Sequence, residues 1–93
     1  MSNVKRNLSF DCGIARARLE TWLTEEMALD RCESGGWHFT SEDGMCSVEL
    51  GNLESRTLGS VSIERTRLAI TGDVEAVDTF MHLFTLRFMS AGG

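Results

Sequence analysis

The chain has 93 residues, 42% of them hydrophobic and 25% charged, with 14 acidic against 9 basic side chains and a formal net charge of −5. That length holds a core without metal or disulfide staples, and the balance is that of an ordinary soluble globular protein. No apolar run approaches the ~20 residues of a membrane span, and an acidic chain whose single lysine is Lys5 lacks the clustered cations that track nucleic acid phosphates.

Other exclusions follow from particular residues. The N-terminal run Met1-Ser2-Asn3-Val4-Lys5-Arg6 is basic but leads into alternation, not into a continuous apolar stretch. It therefore does not read as a signal peptide, and the cytoplasm is the expected compartment. Cys12, Cys32 and Cys46 are an odd number with no CxxC spacing, so reduced thiols are expected, mostly buried as small apolar groups.

Taken in order, Val4 to Asp11 alternates, with Val4, Leu8 and Phe10 on one face and Lys5, Asn7 and Ser9 on the other. This predicts a half-buried strand, with Arg6 tolerated on the inner set at an edge or terminus. A helix is predicted from about Gly13 to Leu29, with Asp11 placed as its N-cap. Ala15, Leu19, Trp22, Leu23 and Met27 give it an apolar stripe, and Arg16 with Glu20 an outer i,i+4 pair. Arg16, Arg18 and Arg31 among Glu20, Glu25, Glu26 and Asp30 read as a mixed, solvated face.

Asp30 to Gly36 reads as loop. Asp43-Gly44 is a preferred type I′ turn pair. Folding there sets Phe39 against Val48 and Trp37 against Leu50, on one face with Ser41 and Cys46. A second hairpin is expected around Arg65-Thr66, pairing Ile63 with Leu68, Val61 with Ile70, and Glu64 with Arg67. Gly51-Asn52 would connect the two hairpins, Gly59 would mark a bulge, and Leu53 to Leu58 is open between strand and loop.

The last helix is predicted from Asp73 to Met89. Thr71-Gly72-Asp73 reads as the turn and cap before it, and Ser90-Ala91-Gly92-Gly93 as its stop. Val74, Val77, Phe80, Met81, Phe84 and Phe88 form its apolar stripe, with three of the chain's five phenylalanines.

A four- to five-stranded antiparallel sheet with both helices on one face satisfies every stripe, giving a single α+β domain over residues 1–93. The β-α-β-β-(β)-β-α order is similar to one half of the TATA-binding-protein-like fold, a likeness of layout that carries no function.

Cys12 is the candidate catalytic residue. In the first turn of a helix, with Arg16 one turn on, its thiolate would be favoured; the plainer reading is a small buried residue beside a glycine turn. His38 is expected to point away from the core and His82 to lie on the exposed side of the last helix, contacting Asp78. Neither has metal-ligand spacing around it, and no metal or cofactor is expected. Glu42, Asp43, Glu49 and Glu54 read as turn and strand charges, and no phosphate-cradling loop or nucleophile elbow is present.

Leu83, Leu86 and Met89 carry more weight. With the stripe turned to the sheet, they leave the back of the last helix nearly apolar, broken by Thr85 and Arg87. Either the first helix covers this flank or another chain does. The reading is a protein-interaction module that pairs as a homodimer. The alternative is a ligand-binding or thiol-dependent domain with a pocket near Cys12.

Overall fold

A computed structural model describes residues 4–54 and 56–89. The order is β1 (Lys5–Cys12), α1 (Arg16–Thr21) continued by a π-helical turn (Trp22–Glu26), β2 (Asp30–Arg31), β3 (Trp37–Ser41) and β4 (Gly44–Asn52). Then follow β5 (Arg56–Leu58), β6 (Val61–Ile63), β7 (Thr66–Asp73) and α2 (Val74–Phe84), continued by a second π turn (Thr85–Met89). Five strands form one antiparallel sheet in the order β1-β7-β4-β3-β2, while β5 and β6 pair with each other as a separate arm. The fold is α+β, with both helices on one face of the sheet.

Alternation decides what each strand buries. On β7, Thr66, Leu68 and Ile70 are buried while Arg67 and Thr71 are exposed. On β4 the inner residues are Cys46 and Val48, and on β3 Trp37 and Phe39. They meet Leu19, Trp22 and Leu23 of the first helical segment and Ala76, Val77, Phe80 and Phe84 of α2. Trp22 sits at the centre, its ring 5.4 Å from Phe80, 5.9 Å from Phe84 and 5.3 Å from Phe88. Edge-to-face rings of this kind add to area burial through their quadrupoles. Strand β1 is an edge, in keeping with Arg6: the guanidinium turns to Asp78 of α2, at 2.7 Å.

The β3–β4 hairpin keeps the predicted faces but not the predicted pairs. Ser41 stands opposite Gly44, so the two-residue turn is Glu42-Asp43, and Phe39 faces Cys46 while Trp37 faces Val48. A two-residue displacement preserves the inward set because side chains alternate with period two. Gly44 begins β4 with φ +152°, and a Cβ there would lie 2.5 Å from Asp73 Oδ2. The glycine therefore serves the close approach of Asp73, whose carboxylate accepts the Met45 amide at 3.0 Å and Lys5 Nζ at 2.6 Å.

Several further expectations are corrected. Strand β7 does not pair with β6; it lies between β1 and β4, with Leu68 opposite Phe10 and Leu50. Arg67 accordingly meets Asp11 at 3.1 Å, not Glu64. The second hairpin turns at Gly59-Ser60, with Leu58 opposite Val61 and Gly59 at φ +64°, a left-handed turn residue in place of a bulge. Residues 56–58 are strand, and Gly51 and Asn52 are the end of β4. Asp30 and Arg31 form a short edge strand on β3.

The first helix is shorter than its periodicity suggests. Strand β1 runs on to Cys12, Ala15 occupies the N-cap position without a side-chain bond, and Asp11 is a strand residue. At the far end Ala28 adopts φ +52°, and the Leu29 amide reaches back to the Leu23 carbonyl at 3.0 Å. Thr71-Gly72-Asp73 is the end of β7, which passes directly into α2; Asp73 makes no side-chain cap bond. The helix stop read at Ser90 to Gly93 lies outside the described residues.

Candidate interaction site

The two π turns meet. In each, five residues widen the helix, the Met27 amide reaching the Trp22 carbonyl at 2.8 Å in the first. Phe88 of the second packs on Trp22 of the first, and Arg87 holds Glu26 with two hydrogen bonds, 3.0 Å from Nε and 3.2 Å from Nη2. That bidentate contact holds the Glu26 carboxyl below its usual range and raises the Arg87 guanidinium. Two of the residues between Leu83 and Met89 thus turn toward the first helix.

The remaining flank divides. Leu83 is half-buried and packs against the core, whereas Leu86 is 54% and Met89 60% exposed. The candidate interface residues Leu83, Leu86 and Met89 are therefore one supporting side chain and two exposed ones at the end of α2. Trp22 covers the Phe88 side of this helix; Met27 is partly buried against the same core.

Cys12 sits elsewhere and in a different environment from the expected one. It is the last residue of β1, four positions before α1, and its thiol donates to the Thr66 carbonyl at 3.4 Å. Burial pushes its pKa up, Asp11 adds to the shift, and a backbone contact at Ile14 offsets part of it. The helix-dipole argument for a thiolate does not apply, because the residue is not in the helix. Arg16 is engaged with Glu20 at 2.8 Å and Asn52 at 3.0 Å. Cys46 is buried beside Asp73, and its thiol is pushed up to about 11.

His38 lies on the outer sheet face opposite Ser47 and is half-buried, with Nδ1 lacking a hydrogen-bond partner. His82 is exposed, but Asp78 is taken by Arg6. Among the described residues no three His, Cys, Asp or Glu side chains cluster as metal ligands, and no helix is long and apolar enough to cross a membrane.

Two features have no signature in the sequence. One is the knot of Lys5, Asp73 and the Met45 amide, which joins three strands. The other is an open groove of about 250 Å³ lined by Ala17, Arg18, Thr21, Glu26 and Arg87. No local pattern announces a contact between Glu26 and Arg87, which lie 61 positions apart.

A sheet covered on one face by two helices, with an apolar helix end exposed, defines a small α+β protein. A family model described as Archaeal MoaD-like protein matches residues 7–93, and the chain belongs to that family. No curated protein and no solved structure matches the chain.

Proposed function

We propose that the protein is a cytoplasmic protein-interaction module that self-associates as a two-fold homodimer through the C-terminal flank of α2. The observation that carries this is the exposure of Leu86 and Met89, three positions apart, with Leu83 half-buried beneath them. Burying a leucine stabilises by roughly 1.5–3 kcal/mol, so an apolar pair at one helix end favours a covered state. A two-fold contact sets each flank against its own copy, and an apolar flank is self-complementary where a charged one would repel. Membership in a family of small MoaD-like proteins is consistent with a module of this size.

Sedimentation velocity across micromolar concentrations tests it, with Leu86→Glu and Met89→Glu as variants. A dimer is expected for the wild type and a monomer for both variants. A wild-type monomer at every concentration ends the reading, and a dimer untouched by either change moves the interface elsewhere. Circular dichroism identifies a variant that has unfolded instead; Met89, the more exposed residue, then decides.

The alternative, a thiol-dependent domain, draws no support from the surroundings of Cys12. Alkylation followed across pH is expected to be slower at Cys12 than at an unhindered thiol, and a strongly lowered pKa there would revive the alternative.

A further inference from the structure

We propose that the groove beside the two π turns binds a small ligand through an oxyanion, a carboxylate or a phosphate group, with Arg18 as its principal contact. This goes beyond self-association and uses none of Leu83, Leu86 or Met89.

The groove lies where α1 passes the junction of the two turns. Its wall holds two guanidiniums, Arg18 and Arg87, against one carboxylate, Glu26. In a chain of net charge −5 a cationic wall is a local reversal of sign. Both guanidiniums stand over the same ring: Arg18 lies 5.5 Å and Arg87 5.0 Å from the centroid of Phe88. Ring faces attract cations, but two cations on one ring repel each other, and an anion between them relieves that repulsion.

The pair is unequal in a way that points to a ligand. Arg87 is held by Glu26 through Nε and Nη2, which leaves Nη1 available. The Arg18 side chain makes no hydrogen bond or ion pair among the described residues; its contact is with Phe88. It is therefore a planar fork of donors, oriented by a ring, with no acceptor among the described residues, the arrangement that matches carboxylate or phosphate oxygens. The Thr21 hydroxyl, also on the wall and without a hydrogen bond among the described residues, supplies one more donor.

Two observations bear on the ligand's size and on the place itself. About 250 Å³ is below the ~300–1,000 Å³ of sites that enclose drug-sized ligands, which suits a small acid or phosphate monoester and not a dinucleotide. The groove also draws Glu26 from one π turn and Arg87 from the other, and such turns are frequent at functional sites.

The test is a titration of the full chain followed by amide and arginine Nε–H magnetic resonance. Inorganic phosphate and acetate are added separately at constant ionic strength set with chloride. Saturable shifts are expected at Arg18 and Thr21, with affinity falling by on the order of tenfold in Arg18→Gln. Arg31→Gln, which removes the arginine resting on Trp37, should leave the affinity unchanged. Saturation by phosphate alone assigns a phosphate ester, and saturation by acetate assigns a carboxylate. Shifts that never saturate, or an affinity indifferent to Arg18→Gln, overturn the proposal. Repeating the titration on Met89→Glu separates it from self-association, since binding should persist whatever that variant does to the dimer.

Discussion

The five-stranded sheet and the β5–β6 arm are made of the same kinds of residue and end in opposite conditions. Val48 and Ile70 are fully buried, whereas Val61 is 57% and Ile63 37% exposed. All four favour extended backbone, and all four sit in paired strands. What separates them is cover: α1 and α2 lie across the inner face of the sheet, and neither lies across the arm. Leu58, Val61 and Ile63 share one face of the arm and keep it open to water. β propensity therefore chooses the conformation of a segment, and tertiary packing decides whether that conformation stabilises anything. An isolated two-stranded ribbon is marginal in water, so the free energy of this fold resides in the layered part.

The largest expected effect tests that division directly. Phe80 is fully buried and touches both Trp22 and Phe39 through its ring. Truncation to Ala should cost roughly 3–5 kcal/mol in urea unfolding, by lost transfer energy and the cavity left behind. Ile63→Ala in the arm should change stability by less than about 0.5 kcal/mol, as exposed positions do. Comparable losses at the two sites would break the comparison, showing that the arm's apolar face is covered and belongs to the same cooperative unit.

Which face a residue takes is legible in the amino-acid sequence, and so is the pairing of β3 with β4; which strands flank β7 is not. Trp37, Phe39, Cys46, Val48, Leu68 and Ile70 announce their inward positions by alternation, and Val77, Phe80 and Phe84 by helical spacing. The partner of β7 cannot be read in this way. Ile63 opposite Leu68 fits the pattern as well as Phe10 opposite Leu68 does, because period two assigns a face and is silent about neighbours. Proximity along the chain favours β6 as the partner, yet the fold inserts β7 between β1 and β4. Periodicity overextends the first helix for a related reason: a 3.6-residue period cannot show that Cys12 ends a strand or that Trp22 opens a π turn. The flank at Leu86 and Met89 is visible as surplus apolar surface, while the groove is not. Arg18 reads as one charge among many, and the turn that leaves it beside Arg87 joins elements from opposite ends of the chain.

A smaller effect is expected where the layered part is tied together by charge. Asp73 is nearly buried, and its carboxylate is held below the usual range by the hydrogen bond from Lys5 first and by the Met45 amide second. A carboxylate depressed in the folded state adds stability that is fully present above its unfolded value. That stability is lost as pH falls through the folded one. Urea midpoints measured from neutral pH down through the acid range should fall for the wild type. They should fall less for Asp73→Asn, which cannot titrate and begins from a lower plateau. The arm makes no comparable contribution, so Ile63→Ala should follow the wild-type acid profile. Parallel profiles for Asp73→Asn and the wild type would show that other carboxylates set the acid limit.

The smallest effect concerns backbone conformation, where the two regions differ again. Each contains a left-handed residue: Gly59 at φ +64° turns the arm, and Ala28 at φ +52° closes the first helical segment. The arm has a glycine at its turn, because no packing there could offset a strained one. The layered part has an alanine, whose Cβ crowds its own carbonyl in this region at a cost of roughly 1–2 kcal/mol. Ala28 is exposed, so it returns no burial for that strain; the conformation is imposed by its neighbours. Leu23 is fully buried before it, Leu29 packs against the core after it, and the Leu29 amide is fixed on the Leu23 carbonyl. Ala28→Gly should remove the strain while leaving those contacts in place. The gain is reduced because glycine has more freedom to lose on folding, by roughly 0.5–1 kcal/mol. A net stabilisation of about 0.5 kcal/mol is expected from the difference of these two magnitudes, read as a higher urea midpoint at unchanged slope. A loss of stability would mean that the closing turn relaxes out of the left-handed region, and that packing around Leu23 and Leu29 does not impose it.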